Sequence, residues 1–172
     1  MIAYRAPRAD EAAALAELGQ ASFVETFGHL YRPEDLAMFL RDIYATEVVA
    51  AQLQNPRILF RVAEEDGALV GYCKLGLDVS LDYDPGDKTV IELKQLYLMA
   101  THQGLGVAQA LMDWTISEAE ARGADEIILS VWAENARAQR FYSKYGFEWI
   151  ADTYFMVGNH RDDEFLFAKK MK

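Results

Sequence analysis

The chain has 172 residues, 52% hydrophobic and 26% charged, with a formal charge of -10. That suits one globular domain over residues 1–172 and argues against a general nucleic-acid binder, because phosphate affinity needs clustered Lys and Arg. The single cysteine, Cys73, cannot form an internal disulfide, and the scattered His29, His102 and His160 are too few to hold a zinc ion. The opening MIAYRAPRADEAAALAEL lacks the charged start and unbroken apolar core of a signal peptide, and no apolar run approaches the ~18 residues of a membrane span. The expectation is a cytoplasmic protein with no metal and no membrane or nucleic-acid partner.

In chain order, Ile2 to Ala6 reads as a short strand, and Asp10 as the cap of a helix running to about Phe27 with Leu15, Leu18, Ala21 and Phe23 as its apolar positions. Pro33 opens a second helix carrying Leu36, Phe39, Leu40 and Ile43, and Thr46 a third that ends near Gln54. After Asn55-Pro56 the spacing changes: ILFRVAEE and ALVGYCKLGLDVS are strand-like runs separated by the hairpin signal Asp66-Gly67. The loop DYDPGD, Asp82 to Asp87, leads into the strand TVIELKQLYL.

Gly104 and Gly106 then precede a helix with Val107, Ala110, Leu111 and Trp114 on one face, ending at Gly123. EIILSVW is a buried strand, and Asn135 caps a helix closed by Gly146. FEWIADTYFMV and EFLFAKK form a last hairpin through Gly158-Asn159. Together these elements make a mixed α/β sheet with helices on its faces.

The two glycines strip side chains from the start of a helix, where unpaired amides carry partial positive charge and can cradle an anion. Gly-Val-Ala follows where a Walker loop needs Gly-Lys-Ser/Thr, and a dinucleotide fingerprint needs a third glycine. The pairing of QGLGVA with NARAQRFYSKYGF resembles the GCN5-related N-acetyltransferases (GNAT). More narrowly, TFG before an EDLAMFL helix, together with VWAENARAQRFYSKYGF and YFMVGNHRDDEFLFAKKM, looks like the bacterial Pai-type spermidine/spermine acetyltransferases.

The resemblance implies a mixed central sheet of about seven strands flanked by helices, with acetyl-CoA as cosubstrate. It implies that Gln103, Gly104, Leu105, Gly106, Val107 and Ala108 take the pyrophosphate on their backbone, although Gln103 stands where many relatives have Arg. Leu96, Tyr97 and Leu98 then serve the pantetheine arm and the acetyl carbonyl, with Lys144 and Asn135 as further cofactor contacts, Asn135 being equally a helix cap.

Acyl transfer to an amine needs a neutral nucleophile, a polarised carbonyl and a proton for the leaving thiolate. Tyr142 takes the family position of the proton donor, or merely fills a helix face; Glu92 takes that of the base, or is a strand carboxylate paired with Lys94. Cys73, without a histidine partner, reads as a core residue. Asp78, Asp82, Asp84 and Asp87 form an acidic loop that either receives a polycation or is simply solvated. The implied activity is N-acetylation of a small-molecule amine, with a polycationic polyamine leading. A protein N-terminus, an amino acid, an aminoglycoside or a non-catalytic acyl-CoA sensor are the alternatives, and a homodimer is compatible with all of them.

Overall fold

The structure, a computed structural model, describes every residue from Met1 to Lys172. The alternating run ILFRVAEE forms β2 (Ile58–Glu65), which turns through Asp66-Gly67 into β3 (Ala68–Gly76). Both turn residues have left-handed φ, 51° and 83°, as a tight two-residue hairpin requires. The short β1 (Ala3–Arg5) pairs antiparallel with β2, and β4 (Val90–Leu98) antiparallel with β3. Next to β4 lies β5 (Glu126–Trp132), in parallel. Parallel neighbours need a crossover, and α4 (Val107–Ala121) supplies it. The hairpin of β6 (Glu148–Val157) and β7 (His160–Lys170) completes a seven-stranded sheet in the order β1-β2-β3-β4-β5-β7-β6.

Strand alternation divides the core into two faces. Cys73, Leu75, Ile91 and Leu93 pack against Val107, Leu111 and Met112 of α4. On the opposite face Phe60, Val62 and Tyr72 meet Leu15, Ala16 and Leu18 of α1 (Ala12–Phe27) and Val49 of α3 (Thr46–Gln54). Leu111, Ile127 and Ile128 are fully buried, and each such side chain contributes about 1.5–3 kcal/mol. Between α1 and α3, α2 (Pro33–Tyr44) reaches across to the β6–β7 turn. A Cβ on Gly158 would lie 2.6 Å from Asp35 Cα, and Asp35 Oδ1 accepts from the Asn159 amide at 2.8 Å. The bare turn therefore lets α2 close over that end of the sheet.

Three boundaries differ from the sequence reading. Asp10 lies in a 3-10 turn before α1 and does not cap it; the neighbouring Glu11 accepts from the Arg8 amide at 2.7 Å and pairs with Arg5. β3 stops at Gly76, where a Cβ would meet Lys94 Cε at 2.5 Å, and the amides of Ser80 and Leu81 bond to a side chain instead of a strand. β7 begins at His160, four residues before the apolar run, because backbone pairing from Val157–His160 onward does not depend on apolar side chains.

Candidate active site

Pairing of β4 with β5 is confined to Val90–Glu92 against Glu126–Ile128, although both strands run further. Beyond these pairs the strands diverge. A bulge assists, since Leu93 faces Leu75 while Gln95 faces Lys74, leaving Lys94 as the extra residue and increasing the local twist. The Met99 amide donates to Val70 on the β3 side at 2.9 Å. By strand alternation the Tyr97 backbone also faces β3, opposite Tyr72, whereas the amides of Leu96 and Leu98 face the gap. Tyr97 thus offers the gap only its side chain.

The gap belongs to a cleft of about 680 Å³ that runs from the glycine loop to the rings of α1 and α2. At the loop end, Gly104 and Gly106 have φ of 79° and 83°, and a Cβ on either would meet no protein atom within 4 Å. The first intrahelical bond of α4 is Ala110 N–H to Gly106 C=O, and no side chain caps the helix. The amides of Val107, Ala108 and Gln109 are therefore left as donors for an anion.

The Val107 side chain is buried in the core, so this residue has only backbone to offer, whereas Leu105 is 61% exposed. Gln103 Oε1 accepts from Arg137 Nη1 at 2.6 Å, which holds a guanidinium beside the loop. The sequence reading missed this cation; its signal, an Arg in the first turn of α5 (Ala136–Lys144), was visible but not its partner. Asn135 lines the cleft and caps α5, accepting from the Ala138 amide at 3.1 Å. Lys144 lies exposed at the far end of α5, away from the cleft wall.

On the cleft wall midway stands Tyr142, packed edge-on to Phe141 and Phe147 with no side-chain hydrogen bond to its hydroxyl. Burial pushes its phenol well above the ordinary value, so it keeps its proton at neutral pH. Glu92 also borders the cleft but is 3% exposed and fully occupied. Its Oε1 accepts from the Ser80 and Leu81 amides at 2.8 and 3.1 Å, and its Oε2 from Ser80 Oγ at 2.7 Å and Lys94 Nζ at 2.8 Å. Burial pushes the carboxyl up, but the Lys94 ammonium and the two Ser80 donors outweigh it and hold Glu92 below the usual range. This is not the free carboxylate expected of a proton acceptor.

A different carboxylate has that character. Glu164 of β7 lies across from Trp132 and lines the cleft, and the sequence reading passed it over. Burial raises it to about 7, with Asp162 adding to the rise and the Ser130 hydroxyl opposing it. Of the acidic loop, Asp78 pairs with Arg57 at 2.7 Å, Asp84 accepts from the Gly86 amide, and none of its four aspartates borders the cleft. His102 is held by Glu65 at 2.7 Å. Cys73 is buried, its thiol pushed up to about 12 by desolvation, and it stays in the core.

The model of the acetyltransferase (GNAT) family matches residues 14–147. Two mycobacterial relatives, uncharacterized N-acetyltransferases of Mycobacterium bovis and Mycobacterium tuberculosis, are each 33% identical over 139 residues, 81% of this chain and 84% of theirs. Among solved structures, the PaiA N-acetyltransferase of Thermoplasma acidophilum in complex with coenzyme A is similar, with a TM-score of 0.80 at 24% identity over 99% of both chains. The matched stretch holds the splayed strands, the glycine loop and Tyr142 together, and this chain belongs to the GNAT acetyltransferase family.

Proposed function

We propose that this N-acetyltransferase moves the acetyl group of acetyl-CoA to a primary amine by direct attack across the gap between β4 and β5, with residues 1–172 acting as one unit. The divergence of the strands after Glu92 and Ile128 carries the reading, because it bares two strand amides between an anion cradle and a neutral phenol. The amides of Val107, Ala108 and Gln109, with Arg137 beside them, suit a pyrophosphate, and the glycine conformations keep that surface clear. The Leu96 and Leu98 amides suit an extended amide arm and the oxygen of the reacting carbonyl. When bound, acetyl-CoA supplies an acetyl group activated as a thioester.

Tyr142, which burial keeps protonated at neutral pH, gives its proton to the departing sulfur in this reading. Glu92 serves in this reading to anchor the β3–β4 connection to β4, since its oxygens are already engaged. A polyamine acceptor is the second reading. The pair Asp162 and Glu164, two residues apart on one face of β7, favours it, while none of the aspartates of the acidic loop borders the cleft.

The test has two arms: calorimetric titration with acetyl-CoA, and thiol release with a panel of monoamines, polyamines, amino acids and short peptides. Micromolar binding with amine-dependent thiol release is expected. Binding with no release from any amine would replace the enzyme reading with that of an acyl-CoA sensor.

A further inference from the structure

The acceptor half of the cleft is walled by aromatic rings from four elements. Phe23 and Phe27 come from α1, Phe39 from α2, Phe155 from β6 and Trp132 from β5, with Tyr31 in the connection between α1 and α2. They form one continuous surface: Phe23 lies 4.6 Å from Phe39 and 5.9 Å from Tyr31, Phe27 meets Trp132 edge-on at 6.0 Å, and Phe39 meets Phe155 at 5.7 Å. Such a wall rewards a flat or apolar body, whereas each ammonium of a polyamine would exchange its hydration for cation–π contact alone.

The charges of the chamber are unequal. Asp162 is satisfied, accepting from the Tyr31 hydroxyl and from His160 Nε2. Glu164 has no cationic partner. Elsewhere on the cleft wall Lys74 is 5% exposed, with only Gln52 Oε1 at 3.4 Å, and Lys94 stands on Glu92. One free carboxylate faces the chamber, and a second ligand cation would meet lysines.

Resting on the acetyl-transfer reading, we infer that this chamber is the acceptor subsite for a primary monoamine borne on an aromatic ring, with Glu164 binding its ammonium and taking the proton that attack requires. Glu164 accepts one proton from R–NH3+, freeing the nitrogen lone pair. The C–N bond to the acetyl carbon then forms and the C–S bond breaks, the sulfur leaving with the electron pair and the Tyr142 proton. The second nitrogen proton returns to the Tyr142 oxygen through solvent in the cleft, so that one proton is released overall when Glu164 discharges. Desolvation suits Glu164 to this task, since a carboxyl near 7 is both ionised and basic at neutral pH. The groups around it are Asp162 on β7, Ser130 on β5, Tyr97 on β4, Tyr142 on α5 and Tyr31, and burial raises all three phenols above their ordinary value, so they stay neutral.

The experiment uses the full chain in two formats. Thiol release from acetyl-CoA is measured with phenethylamine, hexylamine and spermidine between pH 6 and 9, and phenethylamine and spermidine are titrated calorimetrically into protein saturated with CoA. Phenethylamine is expected to exceed spermidine by about 10-fold or more in kcat/KM and to bind more tightly. Its kcat/KM should rise with an inflection near pH 7. Glu164→Gln should lose about 100-fold in kcat/KM, abolish that inflection and weaken phenethylamine binding while leaving acetyl-CoA affinity unchanged. Phe27→Leu, which keeps the carboxylate, should shrink the preference for phenethylamine over hexylamine.

A stronger response to spermidine, or an inflection that survives in Glu164→Gln, would overturn the inference. So would the absence of phenethylamine binding to the CoA complex, even where other amines release thiol and the acetyl-transfer reading stands.

Discussion

Glu92→Gln separates an anchoring role from a base role. In the native protein four donors converge on its two oxygens. Gln can keep one oxygen toward the Ser80 and Leu81 amides, but its NH2 must then face Lys94 Nζ, which is itself a donor. The charge-assisted bond is lost, and such bonds are worth about 1.5–3 kcal/mol, with a further penalty for an ammonium left beside a buried donor. A loss of ~2–4 kcal/mol corresponds in a chain of this size to a fall in Tm of roughly 5–15 °C.

The pH dependence of that loss has a definite sign. Glu92 is held below the usual carboxylate range, so its stabilisation is fully present above the unfolded value and disappears as pH falls through the folded one. The gap in Tm between native and variant protein should therefore be widest at neutral pH and shrink on acidification, as scanning calorimetry from pH 7.5 downward would show. Activity of the folded variant should fall only modestly, with no selective recovery at high pH. A variant with native Tm whose kcat/KM collapses at pH 7 and recovers at pH 9 would refute the anchoring role and restore Glu92 as the base.

Tyr142→Phe should lower kcat by ~10²- to 10⁴-fold with acetyl-CoA affinity and Tm nearly unchanged, because the ring packing stays and only the donor goes; stopped-flow thiol release with a competent amine reads it. Gly106→Val puts a β-branched residue at φ 83° and a side chain in the cradle, so calorimetry should show acetyl-CoA affinity reduced by more than about 10-fold, with a fold loss of ~1–3 kcal/mol from strain. Gly158→Ala combines φ 58° with a Cβ 2.6 Å from Asp35 Cα. It should raise the amine KM and lower Tm while sparing the KM of acetyl-CoA, since α2 walls only the acceptor end.

What the sequence disclosed was local in origin. The two-residue hairpins at Asp66-Gly67 and Gly158-Asn159, the capping of α5 by Asn135 and the apolar stripe of α4 follow from contacts within a few residues. The glycine loop was legible for the same reason, since its conformation and the start of α4 are set by neighbours. The divergence of β4 from β5 was not, because it depends on a bulge paired across to β3 and on strands joined by a whole helix. Arg137 was equally hidden: its partner Gln103 is 34 residues away.

The two carboxylates show the same division in chemical terms. Glu92 is two residues from Lys94, and a strand offers that pairing locally, so a bonded carboxylate could be foreseen beside the base role. Its binding to Ser80 and Leu81 could not, because it needed the β3–β4 connection to fold back twelve residues onto the strand. Glu164 sits in RDDEFLF, where polar neighbours suggest a solvated acid, and only the packing of β5, of Tyr97 and Tyr142, and of Tyr31 around the hairpin takes it out of water. Donors stabilise one ion, and desolvation without a cation destabilises the other. Proton affinity in this cleft is therefore a tertiary property: strand position alone points to Glu92, whose bound donors lower its affinity for a proton, and gives no sign of Glu164, whose desolvation raises it.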